Sequence, residues 1–417
     1  MKLKTLSLFT ALALSSTSFA HDIGHEHEHV EGGWNTKAGF VSDVDIEAEL
    51  WNPRGKSQEE IIKRAIFLAG KYDLERTPEQ QARASKAREK YSKAIAINSI
   101  LPSSVGIIGN TEEIFTKAVN RNRDAGMTLV SATVYAFPGS TGELSAYQVV
   151  ENSTKVVTEQ EMIKVDTTLD ILLAKKQGKM AVMFNTQGAD YVAEDTAKHA
   201  KQSHESGIRT MNFTYNNNNA LAGGGSKQDM GLTELGVQWV VDAQKNHLVV
   251  DVSHSSNQTV IEAAKVATKP ILASHSNAQT LHNVSRNMSD EALKAVGETD
   301  GAVCPTGVGM FLNEELDAAP ERYVEHVVYI ADLIGKDKVC FSTDYVHNIQ
   351  DYYIRDIGNT DVYPPELGFG SPISNIAAEN IWDVVAILED KHGWNEEEIK
   401  GFLGENLMRV YKANWKA

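Results

Sequence analysis

Eight short runs of β-branched and apolar residues recur from Ala94 onward. They read AIAIN (94–98), MTLVSATVY (127–135), MAVMFN (180–185), TMNFTY (210–215), HLVVDVS (247–253), PILAS (270–274), GAVCP (301–305) and VCFST (339–343). Longer stretches with helical spacing separate them, such as EEIFTKAVNRNRDAG and PERYVEHVVYIADLIG. A strand-then-helix repeat predicts a parallel sheet, because a parallel neighbour is reached only by a crossover connection. The runs do not alternate cleanly, as expected of strands covered on both faces. Eight of them suit closure into an α/β fold of the (β/α)8 barrel type. The competing open, doubly wound sheet is weaker, since no G-x-G-x-x-G follows the first run.

With 417 residues, 42% of them hydrophobic and 23% charged, the chain has material for a large core and reads as globular. Its first residues, MKLKTLSLFTALALSSTSFA, combine a basic start, a short apolar stretch and a small-residue ending. They predict a signal peptide over 1–20, cut before His21, and hence a periplasmic, secreted or otherwise extracellular protein. No segment has the roughly 20 apolar residues of a membrane span, so no integral membrane segment is expected. Residues 21–33 hold His21, His25, His27 and His29 in a polar tract that reads as a mobile arm able to scavenge metal loosely. Residues 34–93 read as a helical extension ahead of a barrel domain over 94–417. The net charge of −16 makes nucleic acid a poor partner. Cys304 ends the seventh run while Cys340 begins the eighth, a difference in height of about 10 Å, which predicts free thiols.

Barrel enzymes collect their reactive groups where the strands end. The fifth and sixth runs each end on Ser-His-Ser, at His254 and His275, and the eighth ends at Asp344. Two imidazoles and a carboxylate at one mouth suit zinc, whose bound water ionises near neutral pH. The plainer reading is that each histidine is a core residue hydrogen-bonded to its flanking serines. His199, His204, His247, His326 and His392 read as solvated or packed, while His282 and His347 fall in loops near the mouth. Arg286, on the loop after the sixth strand, points to a ligand with a free carboxylate.

At these positions the chain resembles the membrane (renal) dipeptidase family of zinc peptidases, from about Ala94 to Trp415. VVDVSHSS and PILASHSNA look like the family's two histidine-bearing strands. HNVSRNMSDEAL is similar to its carboxylate-binding loop, CFSTDYVH to the loop with an acid near the substrate's amino end, and FLGENLMRVY to its terminal helix. The resemblance implies a (β/α)8 TIM barrel of the metal-dependent hydrolase type that splits dipeptides with two zinc ions. Three positions depart from the pattern. INSILPSS offers Asn98, Ile100 and Pro102 where the family has an Asp-x-His-x-Asp signature, and no histidine lies between His29 and His199. The bridging glutamate falls on Gln187, and a substrate-assisting histidine falls on Tyr215. Isoleucine and proline side chains cannot coordinate a metal, and a neutral glutamine bridges two cations poorly.

The expected protein is therefore an exported, dipeptidase-like hydrolase. One zinc would rest on His254 and His275, with Asp344, Asp190 or Glu194 as third ligand. Arg286, with Gln187 and Tyr215, would bind the dipeptide or another small amide, and Asp344 would contact its amino end or shuttle a proton. The alternative is a protein of the same fold that binds a small carboxylate or peptide without cutting it. A homodimer is compatible with either.

Overall fold

The computed structural model describes residues 35–36, 52–356 and 358–415; the expected signal peptide and histidine-rich arm lie outside them. Seven barrel strands follow one another in sequence order: β1 (Ile97–Leu101), β2 (Leu129–Tyr135), β3 (Ala181–Thr186), β4 (Ile208–Asn212), β5 (Val249–Asp251), β6 (Leu272–Ala273) and β7 (Ala302–Val303). Every neighbouring pair is parallel. Residues 339–343 take the eighth place. Val339 bridges Val303 in parallel, and on the other side the Ser99 N–H donates to the Phe341 carbonyl at 3.3 Å. The fold is thus the expected α/β barrel, with helices such as α3 (Glu112–Ala125) and α4 (Ala146–Glu159) outside it.

Side-chain alternation explains how the barrel holds a polar mouth above an apolar base. Along β2, Val130, Ala132 and Val134 pack outward into the main core with the helices, while Leu129 joins an inner cluster with Ile97, Ala181, Met183, Val249, Leu272 and Ala302. Higher on the inner face the residues become polar: Ser131 and Thr133 on β2, Asn185 on β3. They bond one another, which offsets the cost of burying them. The last helix, Asn406–Asn414, adds Leu407, Val410 and Tyr411 to the inner cluster and plugs the base.

The cysteines overturn the expectation of free thiols. Cys304 and Cys340 form a disulfide with Cα atoms 4.3 Å apart. Reading each strand as if it began at one common level placed them at different heights. The observed register pairs Val303 with Val339, and the Cys340 N–H donates to the Val303 carbonyl at 3.1 Å. Barrel strands are staggered, so position along a strand does not give height in the barrel.

Two helices precede the barrel, α1 (Gln58–Ala69) and α2 (Pro78–Lys90), each opened by a capping box, Ser57 with Glu60 and Thr77 with Gln80. α1 buries Ala65 and Leu68 against Tyr353, on the helix Ile349–Asp356 beside the mouth. Between them, Tyr72 Oη accepts from the Val346 N–H at 3.0 Å and from Asn375 Nδ2 at 2.8 Å, and Tyr345 donates to Asp73. The segment before the barrel therefore grips the loop that carries Asp344. No helix among the described residues is long and apolar enough to cross a membrane.

Candidate active site

The two Ser-His-Ser turns are tied together from below by Asp251, the last residue of β5. Its Oδ1 accepts from the Ser253 N–H at 2.9 Å and from the Ser274 N–H at 3.1 Å. Ser253 Oγ then accepts from the His275 N–H at 3.0 Å. Burial raises the Asp251 carboxyl's pKa, and its hydrogen bonds with the two serines oppose that rise. The serines that repeat around each histidine thus serve as a frame that sets two neighbouring turns at one height. Replacing Asp251 with alanine leaves two buried N–H groups unpaired, and a loss of about 1–3 kcal/mol is expected. Asp251→Asn keeps an acceptor oxygen and should lose less. Denaturant titration reads the stability, and the imidazole NMR signals of His254 and His275 should broaden in the alanine variant alone.

His254 and His275 come together as expected, with ring centroids 4.7 Å apart and planes at 64°. His254 has φ of +64° and Asp344 has φ of +52°, left-handed values that non-glycine residues seldom hold. The Tyr215 ring stacks on His254 at 4.1 Å. Gln187 Oε1 lies 3.0 Å from His254 Nε2, and Asn216 Oδ1 lies 2.8 Å from its Nδ1.

The surrounding bonds fix the direction of one of these amides. Asn216 Nδ2 donates to the Val362 carbonyl at 2.9 Å, which leaves its Oδ1 to accept from the ring, so His254 carries its proton on Nδ1. Gln187, Thr133, Asn185 and Ser131 form a chain of amides and hydroxyls that can run in either direction, and with its amide turned Gln187 donates to the bare His254 Nε2. Burial, Arg286 and His275 push the His254 pKa well below 6.5 and keep the ring neutral.

His275 repeats the pattern. Its Nδ1 lies 2.7 Å from Ser274 Oγ, which also hydrogen-bonds Asp251, while its Nε2 is buried without a hydrogen-bond partner. Burial and then Arg286 lower its pKa as well.

These atoms test the zinc expectation. The bare His254 Nε2 and the orphaned His275 Nε2 could supply two donors to one cation, with each Nδ1 beside a separate oxygen as in metal-bound histidines. They do not fit two. Asn98 is spent on Asn122 and Thr343, and Pro102 presents an apolar wall. A third strong ligand is also missing, for no group of three His, Cys, Asp or Glu side chains among the described residues could hold a metal. Asp190 instead accepts from Asn219 and bonds Tyr135.

Arg286 and Asp344 line the same cavity as His254, Gln187 and Tyr215. Arg286 is 8% exposed and makes only long bonds, Nη1 to Ser276 Oγ at 3.4 Å and Nη2 to the His275 carbonyl at 3.3 Å, while its Nε has no partner. Among the described residues no donor reaches the Asp344 carboxyl, whose pKa burial raises to about 6 against the opposing pull of Arg286. Ile107, Ile108, Met310, Phe311, Tyr352 and Phe369 form an apolar roof over this polar floor. Sequence reasoning missed the roof, Asn216 and Asp251. For Asp251 a signal existed, because residues 251 and 253 share one face of the strand.

A barrel with imidazoles, a guanidinium and a carboxyl converging at its mouth defines a hydrolase-type site. The sequence profile named Membrane dipeptidase (Peptidase family M19) matches residues 114–361, more than half of the chain. The chain belongs to the membrane dipeptidase family and is a hydrolase of that family. Solved structures agree on the fold. An amidohydrolase from Pseudomonas aeruginosa is 24% identical over 79% of this chain and 99% of its own, with a TM-score of 0.68. A probable dipeptidase from the same organism is 17% identical over 81% and 99%, at 0.62. A metallo peptidase from Rhodobacter sphaeroides, liganded with a phosphinate mimic of the dipeptide L-Ala-D-Ala, is 18% identical over 77% and 100%, at 0.59.

Proposed function

We propose that this protein hydrolyses small zwitterionic amides, dipeptides or close analogues, with an apolar side chain, outside the cytoplasm. The observation that carries the reading is the cavity's opposed pair of poorly partnered charges, Arg286 and Asp344. A guanidinium accepts a carboxylate in a bidentate grip, and a carboxylate holds an ammonium. A dipeptide carries both, and the apolar roof takes its side chain. His254 and His275 would be the protein's donors to one zinc ion, which when bound supplies a water acidic enough to ionise near neutral pH and polarises a carbonyl. Arg286 orients the substrate through its carboxylate, Asp344 holds the amino end or takes a proton there, and Tyr215 keeps the His254 ring in place. A disulfide persists in an oxidising compartment, which supports export.

One observation favours the other reading, binding without cleavage: among the described residues no group of three His, Cys, Asp or Glu side chains could hold a metal. A dipeptide hydrolysis screen across pH, before and after chelation, separates the two. Hydrolysis predicts turnover that chelation removes and that falls below about pH 6, where Asp344 takes up its proton. Stability should run the other way. With the folded pKa raised above the ordinary 3.8, the proton binds more tightly to the folded chain, so the Asp344 contribution is full below about pH 4 and is lost as pH rises through about 6. Ligand binding that survives chelation with no product at any pH would discard the hydrolase reading.

A further inference from the structure

The cavity is built differently beside Asp344 and beside Arg286. Tyr72, from the segment ahead of the barrel and outside the stretch 114–361 that matches the family profile, lines the cavity together with Asp344. Its hydroxyl oxygen accepts from the Val346 N–H at 3.0 Å and lies 2.8 Å from the Asn375 amide, which in turn lies 3.4 Å from the Asp344 carbonyl oxygen. Its own carbonyl accepts from the Asn375 N–H at 2.9 Å, and its ring packs on Tyr345 with centroids 4.8 Å apart. A side chain tied at its tip, at its backbone and across its face cannot swing aside without breaking those contacts. Tyr72 is thus a fixed wall beside Asp344. At Arg286 the space continues instead. A small side cavity runs past the guanidinium between Val284, Phe311, Leu367 and Phe369, and it shares Arg286, Phe311 and Phe369 with the main cavity. Val284, Leu367 and Phe369 are half-buried, so an apolar side chain set against them removes more apolar surface from water.

We propose that Tyr72 limits the size of the ligand at its amino end, so that the site takes dipeptides with a small amino-terminal residue and a bulky apolar carboxy-terminal one. The proposal rests on the hydrolase reading for the direction of the ligand, carboxylate to Arg286 and ammonium to Asp344. An amino acid carries its side chain on the carbon next to its ammonium or its carboxylate. Holding the ammonium at Asp344 therefore sets the first side chain against the immobile Tyr72 ring, and holding the carboxylate at Arg286 sets the second at the side cavity. The segment ahead of the barrel then belongs to the site as a specificity element.

Steady-state kinetics on Ala-Phe and Phe-Ala, two dipeptides of one composition, tests it. The unmodified protein should favour Ala-Phe at least about tenfold in kcat/KM. Tyr72→Ala should shrink that ratio at least about tenfold by making room for the first side chain, whereas lost packing alone would lower both substrates together. Tyr72→Leu should move the ratio the same way by less, a check that stands if the alanine variant fails to fold. Tyr72→Phe keeps the ring and should leave the ratio where it was. No preference for Ala-Phe in the unmodified protein, or an unchanged ratio in a folded Tyr72→Ala or Tyr72→Leu, overturns the proposal. Calorimetric binding of the same two dipeptides separates it from the hydrolase reading. Tighter binding of Ala-Phe that Tyr72→Leu weakens, with no turnover, sinks that reading alone; turnover without preference sinks this one alone; neither binding nor turnover overturns both.

Discussion

Arg286→Met is expected to move ligand binding and stability in opposite directions. The guanidinium is buried, has no ion pair at salt-bridge distance among the described residues, makes two hydrogen bonds beyond 3.2 Å and leaves Nε unpaired. Burial lowers its pKa, as expected for a charge held where water cannot reach it. Such a charge costs several kcal/mol unless partnered. Methionine fills a similar volume, with its thioether against Phe311, over whose ring the guanidinium now lies at 5.7 Å. The unliganded variant should be more stable by about 1–3 kcal/mol. Losing one partner of a buried, charge-assisted contact to a carboxylate costs about 2–5 kcal/mol, so kcat/KM should fall by roughly 30- to 4,000-fold. Thermal unfolding of the free protein and steady-state kinetics on a dipeptide read the two effects. A variant that melts lower and keeps its kcat/KM would assign Arg286 to the scaffold.

The second large effect concerns barrel closure. Between β7 and residues 339–343 the ladder consists of one bridge, Val303 with Val339, and the disulfide lies next to it. The two cysteines are 36 residues apart, and cross-linking a loop of that length stabilises by about 3–4 kcal/mol in the chain-entropy account. Cys304→Ala with Cys340→Ala should lose most of that. It should also reduce activity, because Asp344 stands four residues beyond Cys340 and is placed by the same segment. Denaturant titration of the oxidised protein and the double variant gives the first quantity, and the rate of dipeptide turnover gives the second. The double variant keeping full stability would mean that the closing helix and the Tyr72 contacts already hold the seam.

Much of this molecule was legible in its sequence, for reasons particular residues make plain. Strand-then-helix repetition leaves few topologies open, and a strand that stops at His254 or His275 delivers its side chain to the mouth whatever the details of packing. Arg286 and Asp344 follow from the same geometry. The third metal ligand did not, because Asp190 lies at a suitable strand end but turns to Asn219 and Tyr135, a choice made by neighbours far away in sequence. Nor did the apolar roof, whose residues come from the loops after β1 and β7 and from the segment after Asp344.

By itself the sequence determined which groups reach the rim, since strand direction and period act within a few residues. Only the tertiary structure decided what those groups are able to do. The proton position on His254, the packing of Arg286 over Phe311 and the level meeting of Cys304 with Cys340 all depend on partners distant in sequence. A hydrogen bond or a shifted pKa belongs to a pair of atoms and their shared burial, and the chain sets both only when it closes on itself.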